Sequence, residues 1–449
     1  MQDYLDTLSD FVCRTRVQDL DGALRRHGRW IIADSIPVIA AGMQGAEMRA
    51  LVAAQLESAA PGKAWVIGTG RRSNPVDAAL LNGTAGVWLE LDEGNLVAKG
   101  HPGIQVVPAA LAAAQETGAS GSDLLLAVIL GYEVSARISR AAKVRIAVHP
   151  HGTYGVIGAA VAVGKMKGFT PAQMRQLINI AATMGLATSR NTLLEGATVR
   201  NIYAGHSGLM GQMAVRLVLA GFKGESDGVQ SIYGRVLSDQ FDPGLVVADL
   251  GSDWLLMQGY FKLHCTGRYV HSAIDALEDA LAKAPTGVTA ESVERIDVSA
   301  YALAASLNGQ NITTSFGARF SVPFALATIL RHGESNLAAF SEQAVADAQV
   351  QQLARRVFVV ENEAYNALYP GLQRCDLTMT LRDGTVLTGR CDVTKGEASK
   401  PHRQEDLAAK FMTLARSVWS EEKSSALRDV CLDLEAPGAF EAFSGTVDL

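Results

Sequence analysis

The feature that most restricts this chain is a succession of segments that are apolar on nearly every face of a helix. Up to about residue 265, Ala, Leu, Gly and Val recur at helical spacing. A helix with one apolar stripe can lie on a surface, whereas one that is apolar all round must be enclosed by other helices. The start signals are local. Asn74 precedes Pro75 in NPVDAALLNGTAGVWLELDEG, a cap followed by a first-turn proline. SGSDLLLAVILGYEVSARISRAA opens on Ser and Asp, and TPAQMRQLINIAATMG opens on Thr170-Pro171 and closes at Gly185. ATVRNIYAGHSGLMGQMAVRLVLAGF is expected to be one long helix whose glycines and alanines let neighbours approach closely.

After roughly residue 285 the pattern changes. VERIDVSAY alternates as a half-buried strand does, RVFVVEN is a short β-branched run, and CDLTMTLRDGTVLTGRCDV predicts a hairpin about Asp383-Gly384. Helical stretches such as FSVPFALATILRHG lie between them, and EDLAAKFMTLARSVW returns to helix. With 449 residues, too many for one ordinary core, two domains are expected. The fold class read from these segments is mostly α, a large discontinuous all-helical domain plus a smaller α+β domain. Residues 1–265 with 412–449 would form the first, and 266–411 the second. Two consecutive domains are the rival arrangement.

A net charge of −6, without a basic stripe, offers nothing to a phosphate backbone and argues against nucleic acid. No run approaches the ~18 uninterrupted apolar residues of a membrane span. The acidic start MQDYLDTLSDF does not look like a secretory signal, so a cytoplasmic location is expected. Five scattered cysteines without a CxxC pair read as reduced thiols.

Polar clusters interrupt the apolar helices. LELDEGNLVAKGHPG carries Asp92, Glu93, Asn95, Lys99 and His101, with one helix expected to end at Gly94 and another to start at His101-Pro102. A histidine at a helix N-terminus could stand beside a bound carboxylate; a solvated capping loop is the competing reading. VHPHGTYGVIGAA places His149 and His151 before a small-residue helix, as proton-transfer groups or as caps. GATVRNIYAGHSG predicts Arg200 and Tyr203 on one helical face, where a buried arginine needs a substrate anion or a salt-bridge partner. YFKLHCTGRYVHSAIDAL brings Lys262, His264, Arg268 and His271 to the domain junction, as anion binders or as a solvated basic end.

Taken in this order, the clusters resemble the MmgE/PrpD family over essentially the whole chain. LELDEGN…GHPG, HPHGTYG…GAA, VRNIYAGHSG, FKLHCTGRYVH, FSVPFALA and DGTVLTGRCDVTKG are the matching segments. The resemblance implies an enzyme of small polycarboxylates with no metal or organic cofactor, usually a homodimer, with its site between domains. It marks Asp92, His101 and His151 as catalytic positions and Arg200 and Lys262 as cationic ones. Tyr203, His149 and Arg268 join them as substrate-binding candidates. Two departures stand out: Arg200 where decarboxylase and dehydratase branches commonly have lysine, and Gly267 where the decarboxylase branch has histidine. Both weaken a decarboxylase reading, and the pair His149/His151 with the run EGATVRNIYAG resembles the epimerase-type branch, which implies epimerisation of an iminodisuccinate-like acid. His101 and His151 would then flank the reacting carbon on opposite faces, with Asp92 orienting one imidazole. A hydro-lyase or carboxy-lyase is the alternative with the same site. A non-catalytic binding protein is an alternative of another class, and a metal-dependent lyase a further one.

Overall fold

A computed structural model describes residues 3–284 and 287–447. Helices dominate, and among the described residues none is long and apolar enough to cross a membrane. The predicted starts fall where the side chains can close the first turn. Asn74 accepts from the amides of Val76 and Asp77 ahead of the Pro75–Gly86 helix. Ser120 and Asp123 form a reciprocal capping box on Gly121–Ala141, and Thr170 and Gln173 do the same on Pro171–Ala182.

Gly155–Met166 is enclosed on all faces, its first ten residues all buried. Its neighbours approach closely enough to need glycine. A Cβ at Gly131 would lie 2.5 Å from the Gly158 carbonyl oxygen, and one at Gly83 would lie 2.8 Å from the Gly205 Cα. These contacts bring Gly121–Ala141 against the Gly155–Met166 helix and Pro75–Gly86 against Ile202–Leu219 at backbone-to-backbone distance.

Two apolar cores result. The larger joins the helices of the first 261 residues with Leu407, Phe411, Met412 and Phe443 from the chain's end. The smaller gathers residues 265–391 together with Leu89, Leu91 and Leu193, which reach in from the helical part. In the smaller unit a four-stranded sheet runs in the order Val357–Glu361, Val293–Ala300, Cys375–Leu381, Val386–Cys391. The first pair is parallel and the others antiparallel. The hairpin turns at Gly384, whose φ of +86° is the left-handed conformation expected of that position. All five cysteines are free thiols.

Two expected helices are shorter than the sequence suggested. The first stops at Gly86 and not at Gly94. On a helix, Glu90 and Asp92 would stand about 200° apart, whereas the unwound loop turns both toward the Lys262 ammonium. The second begins at Ile202, and Arg200 sits in a preceding 3-10 turn, Thr198–Asn201. Arg200 and Tyr203 still converge, because both side chains meet the His149 ring.

Candidate active site

The acidic loop after Gly86 ends on a short ladder. Gly94 and Asn95 pair antiparallel with Tyr260 and Gly259, and the Asn95 amide donates to the Leu255 carbonyl at 2.8 Å. This short ladder delivers Lys262, two residues beyond it, into the loop. The Lys262 ammonium donates to the Glu90 carbonyl at 3.0 Å and lies 3.3 Å from Asp92 Oδ1 and 3.6 Å from Glu90 Oε2. Glu90 has φ +53°, a left-handed backbone rarely occupied by a non-glycine residue. That geometry sends its carboxylate to Arg200, with which it forms a buried ion pair.

Asp92 stands behind His101. The His101 Nδ1 lies 2.8 Å from Asp92 Oδ2 and donates to the Glu93 carbonyl at 2.7 Å. Both neighbours are acceptors, so Nδ1 carries a proton and Nε2 is left to exchange one. Burial alone would raise the Asp92 carboxyl; His101, Lys262 and Arg200 together hold it well below the usual carboxylate range. Asp92 thus stays ionised and stabilises charge that arrives on the imidazole.

The two-histidine loop reaches the same point by a different route. Val148 and His149 pair with Ser189 and Thr188. The His149 Nδ1 accepts the His151 amide at 3.1 Å, and its Nε2 faces Arg200 Nε at 3.3 Å. Burial, followed by the charges of Arg200 and Arg190, disfavours the imidazolium and holds the ring neutral, its pKa well below the ordinary value. It supports Arg200 and is not placed to shuttle protons. His151 is buried too, and desolvation followed by the charge of Arg200 keeps it neutral. Its Nδ1 has no hydrogen-bond partner among the described residues.

A cavity of about 280 Å³ opens where these loops meet the junction segment. Glu90, His101, His149, His151 and Arg200 border it, and Arg268 closes it from the smaller core's side. The remaining expected site residues are behind the wall. Asp92 and Lys262 are buried beneath His101 and Glu90, and Tyr203 stands edge-on to His149 with ring centroids 5.7 Å apart. Arg268 lies at the surface of the cavity, but its guanidinium is taken up by Glu397 at 2.5 Å and by the face of Tyr260. Among the described residues no group of three His, Cys, Asp or Glu side chains is arranged to hold a metal ion.

Two expectations are corrected. His101 and His151 are not on opposite faces of a substrate site: their rings touch edge to face with centroids 4.6 Å apart. No carbon fits between rings at that spacing, so both address the cavity from one side. The amides at the start of the Pro102–Thr117 helix do not await a ligand either, because Glu93 Oε1 accepts from Gly103 at 2.6 Å. Desolvation pushes the Glu93 carboxyl up to about 8.

The sequence reading missed Glu90 and Arg190. Glu90 was legible in principle, as an acid two residues from Asp92 within an apolar run. Arg190, which also borders the cavity, gave no signal, since its aromatic neighbour Tyr269 is distant in sequence. Gly267 has a packing reason: a Cβ there would lie 2.7 Å from the Phe320 ring, which fills the space a side chain would need.

Family models for the MmgE/PrpD N-terminal and C-terminal domains match residues 6–243 and 264–436. The chain belongs to the MmgE/PrpD family. As a member it is an enzyme, and similar proteins include cis-aconitate decarboxylases. That of Aspergillus terreus is 26% identical over 447 residues, covering 93% of this chain and 90% of the relative. The human one is 27% identical over 387 residues, covering 81% and 77% respectively. A cis-aconitate decarboxylase-like protein of Aspergillus oryzae is 25% identical over 460 residues, covering 95% and 94%.

Proposed function

We propose that this MmgE/PrpD protein is an acid–base lyase of a small polycarboxylate, with cis-aconitate-like decarboxylation as its reaction. The observation that carries this reading is the contact between His101 and His151 on one side of the cavity. Delivering one proton to one face of a carbon suits a lyase, whereas exchange on two faces would need the imidazoles apart. The names of the decarboxylase relatives point the same way.

In such a reaction the bond to one carboxylate breaks and CO2 leaves. The electron pair left behind is conjugated through the neighbouring double bond into a second carboxylate. His101, charged and steadied by Asp92, gives its Nε2 proton to carbon and so completes an unsaturated dicarboxylate. His151, neutral and without a partner at Nδ1, offers a polar contact to substrate or relays the proton that recharges His101. Arg200 is held by Glu90 and is a poor proton donor, so it stabilises negative charge and leaves the proton to the imidazoles.

Proton NMR in D2O tests this with cis-aconitate, citrate, 2-methylcitrate and iminodisuccinate, each with and without EDTA. New vinyl signals from cis-aconitate, with deuterium at one carbon and no effect of EDTA, are expected. Deuterium entering iminodisuccinate whose skeleton stays intact would replace the lyase by an epimerase.

A further inference from the structure

Five cationic side chains border the cavity, and four of them are already engaged by the protein. Arg200 pairs with Glu90, Arg268 with Glu397 at 2.5 Å, and Arg145 with Asp239 at 2.7 Å. Lys99 donates to the carbonyls of Ala142 at 2.6 Å and Ser139 at 3.3 Å. Arg190 differs. It has no ion pair among the described residues, and its buried Nη2 has no hydrogen-bond partner. Its position is nonetheless fixed. The Arg190 amide donates to the Ala147 carbonyl at 2.9 Å, one residue beyond the pairing of Ser189 with Val148. Its guanidinium stands 5.4 Å from the centroid of Tyr269, a ring packed edge-on against Tyr301 and Tyr369. The same charge lies close enough to His149 to help keep that ring neutral.

A guanidinium that is ordered, partly desolvated and unpaired is costly unless an anion completes it. The ribbon that carries His149 also carries Arg190, so an anion at Nη2 would be registered against the imidazoles. We infer that Arg190 is the specificity residue for a substrate carboxylate that is retained in the reaction, and that it selects di- and tricarboxylates over monoacids. The fork of the guanidinium matches a carboxylate bidentately, which a lysine at this position would not do.

This inference rests on the polycarboxylate reading of the cavity, and the test separates the two. Tricarballylate, a saturated tricarboxylate with no double bond to conjugate the electron pair, and butyrate are titrated calorimetrically into the wild type, Arg190→Gln and Arg190→Lys. Tricarballylate should bind the wild type and weaken by roughly 10- to 100-fold in Arg190→Gln, the usual worth of a charged hydrogen-bond pair. Arg190→Lys should fall between, and butyrate should bind all three equally weakly. Removing an unpaired charge should leave the melting temperature of Arg190→Gln unchanged or raised, whereas a structural arginine would lower it. Equal tricarballylate affinity in wild type and Arg190→Gln would overturn the role of Arg190 alone. Absence of tricarballylate binding to the wild type would overturn the polycarboxylate reading and this inference with it.

Discussion

Glu133 and Arg137, on the Gly121–Ala141 helix, form an ion pair as deeply buried as that of Arg200 and Glu90, yet the two are completed differently. Arg137 donates to Glu133 at 2.6 Å, to the carbonyls of Ala248 at 2.6 Å and Val246 at 3.3 Å, and to Asp253. Glu133 in turn accepts the amides of Leu255 at 3.1 Å and Leu256 at 3.0 Å. Every strong direction is filled by the protein, and the pair staples the 246–256 segment to the helix. Around Arg200 the protein stops short: among the described residues His151 Nδ1 and Arg190 Nη2 are buried without a hydrogen-bond partner, and both belong to residues bordering a cavity. Buried charge by itself therefore does not mark a site; buried charge left incomplete beside an opening does.

The largest test of this contrast is chemical. His101→Ala and His151→Ala should each lower kcat by about 10²- to 10⁴-fold, the usual share of a positioned acid or base, with little change in melting temperature. Near-normal turnover by both variants would remove the distinction at its functional end. Next comes the structural cluster. Arg137→Met leaves Glu133 buried without its partner and should cost about 3–5 kcal/mol in denaturant unfolding, while kcat per folded molecule is retained. Loss of turnover without loss of stability would show that the two clusters are not separate.

The smallest effect, taken per unit of pH, concerns Glu93, which belongs to the loop and bonds to Gly103 and Tyr132. Burial holds its carboxyl at about 8 in the folded chain against an ordinary 4.5, so the native state binds this proton more tightly than the unfolded one. Its stabilising contribution is complete below pH 4.5 and is lost as pH rises through 8. Unfolding free energy should fall across that window, and Glu93→Gln should flatten the decline by about 1 kcal/mol per pH unit. An unchanged slope in the variant would place the titrating group elsewhere.

Much of the fold could be read from short stretches. Asn74, Ser120 and Thr170 each cap a helix through bonds to residues two or three positions on, and Gly384 makes its turn with its immediate neighbours. The end of the Pro75–Gly86 helix could not be read, because the partners of the unwound loop are Lys262, Arg319 and Lys410, all distant in sequence. Of the expected site residues, His101, His149, His151, Arg200 and Arg268 border one cavity, while Asp92, Lys262 and Tyr203 act from behind.

The sequence alone determined that the chain is a mostly helical enzyme of the MmgE/PrpD family and which histidines to examine, since apolar periodicity, capping and motif order are short-range properties. Only the tertiary structure decided that His101 and His151 touch, that Glu93 fills the N-terminus of the Pro102–Thr117 helix, and that Arg190 Nη2 has no partner among the described residues. Those facts depend on ladders such as Val148 with Ser189 and Gly94 with Tyr260. Desolvation and charge pairing are set by whatever the fold brings within a few ångströms, however far apart it lies along the chain.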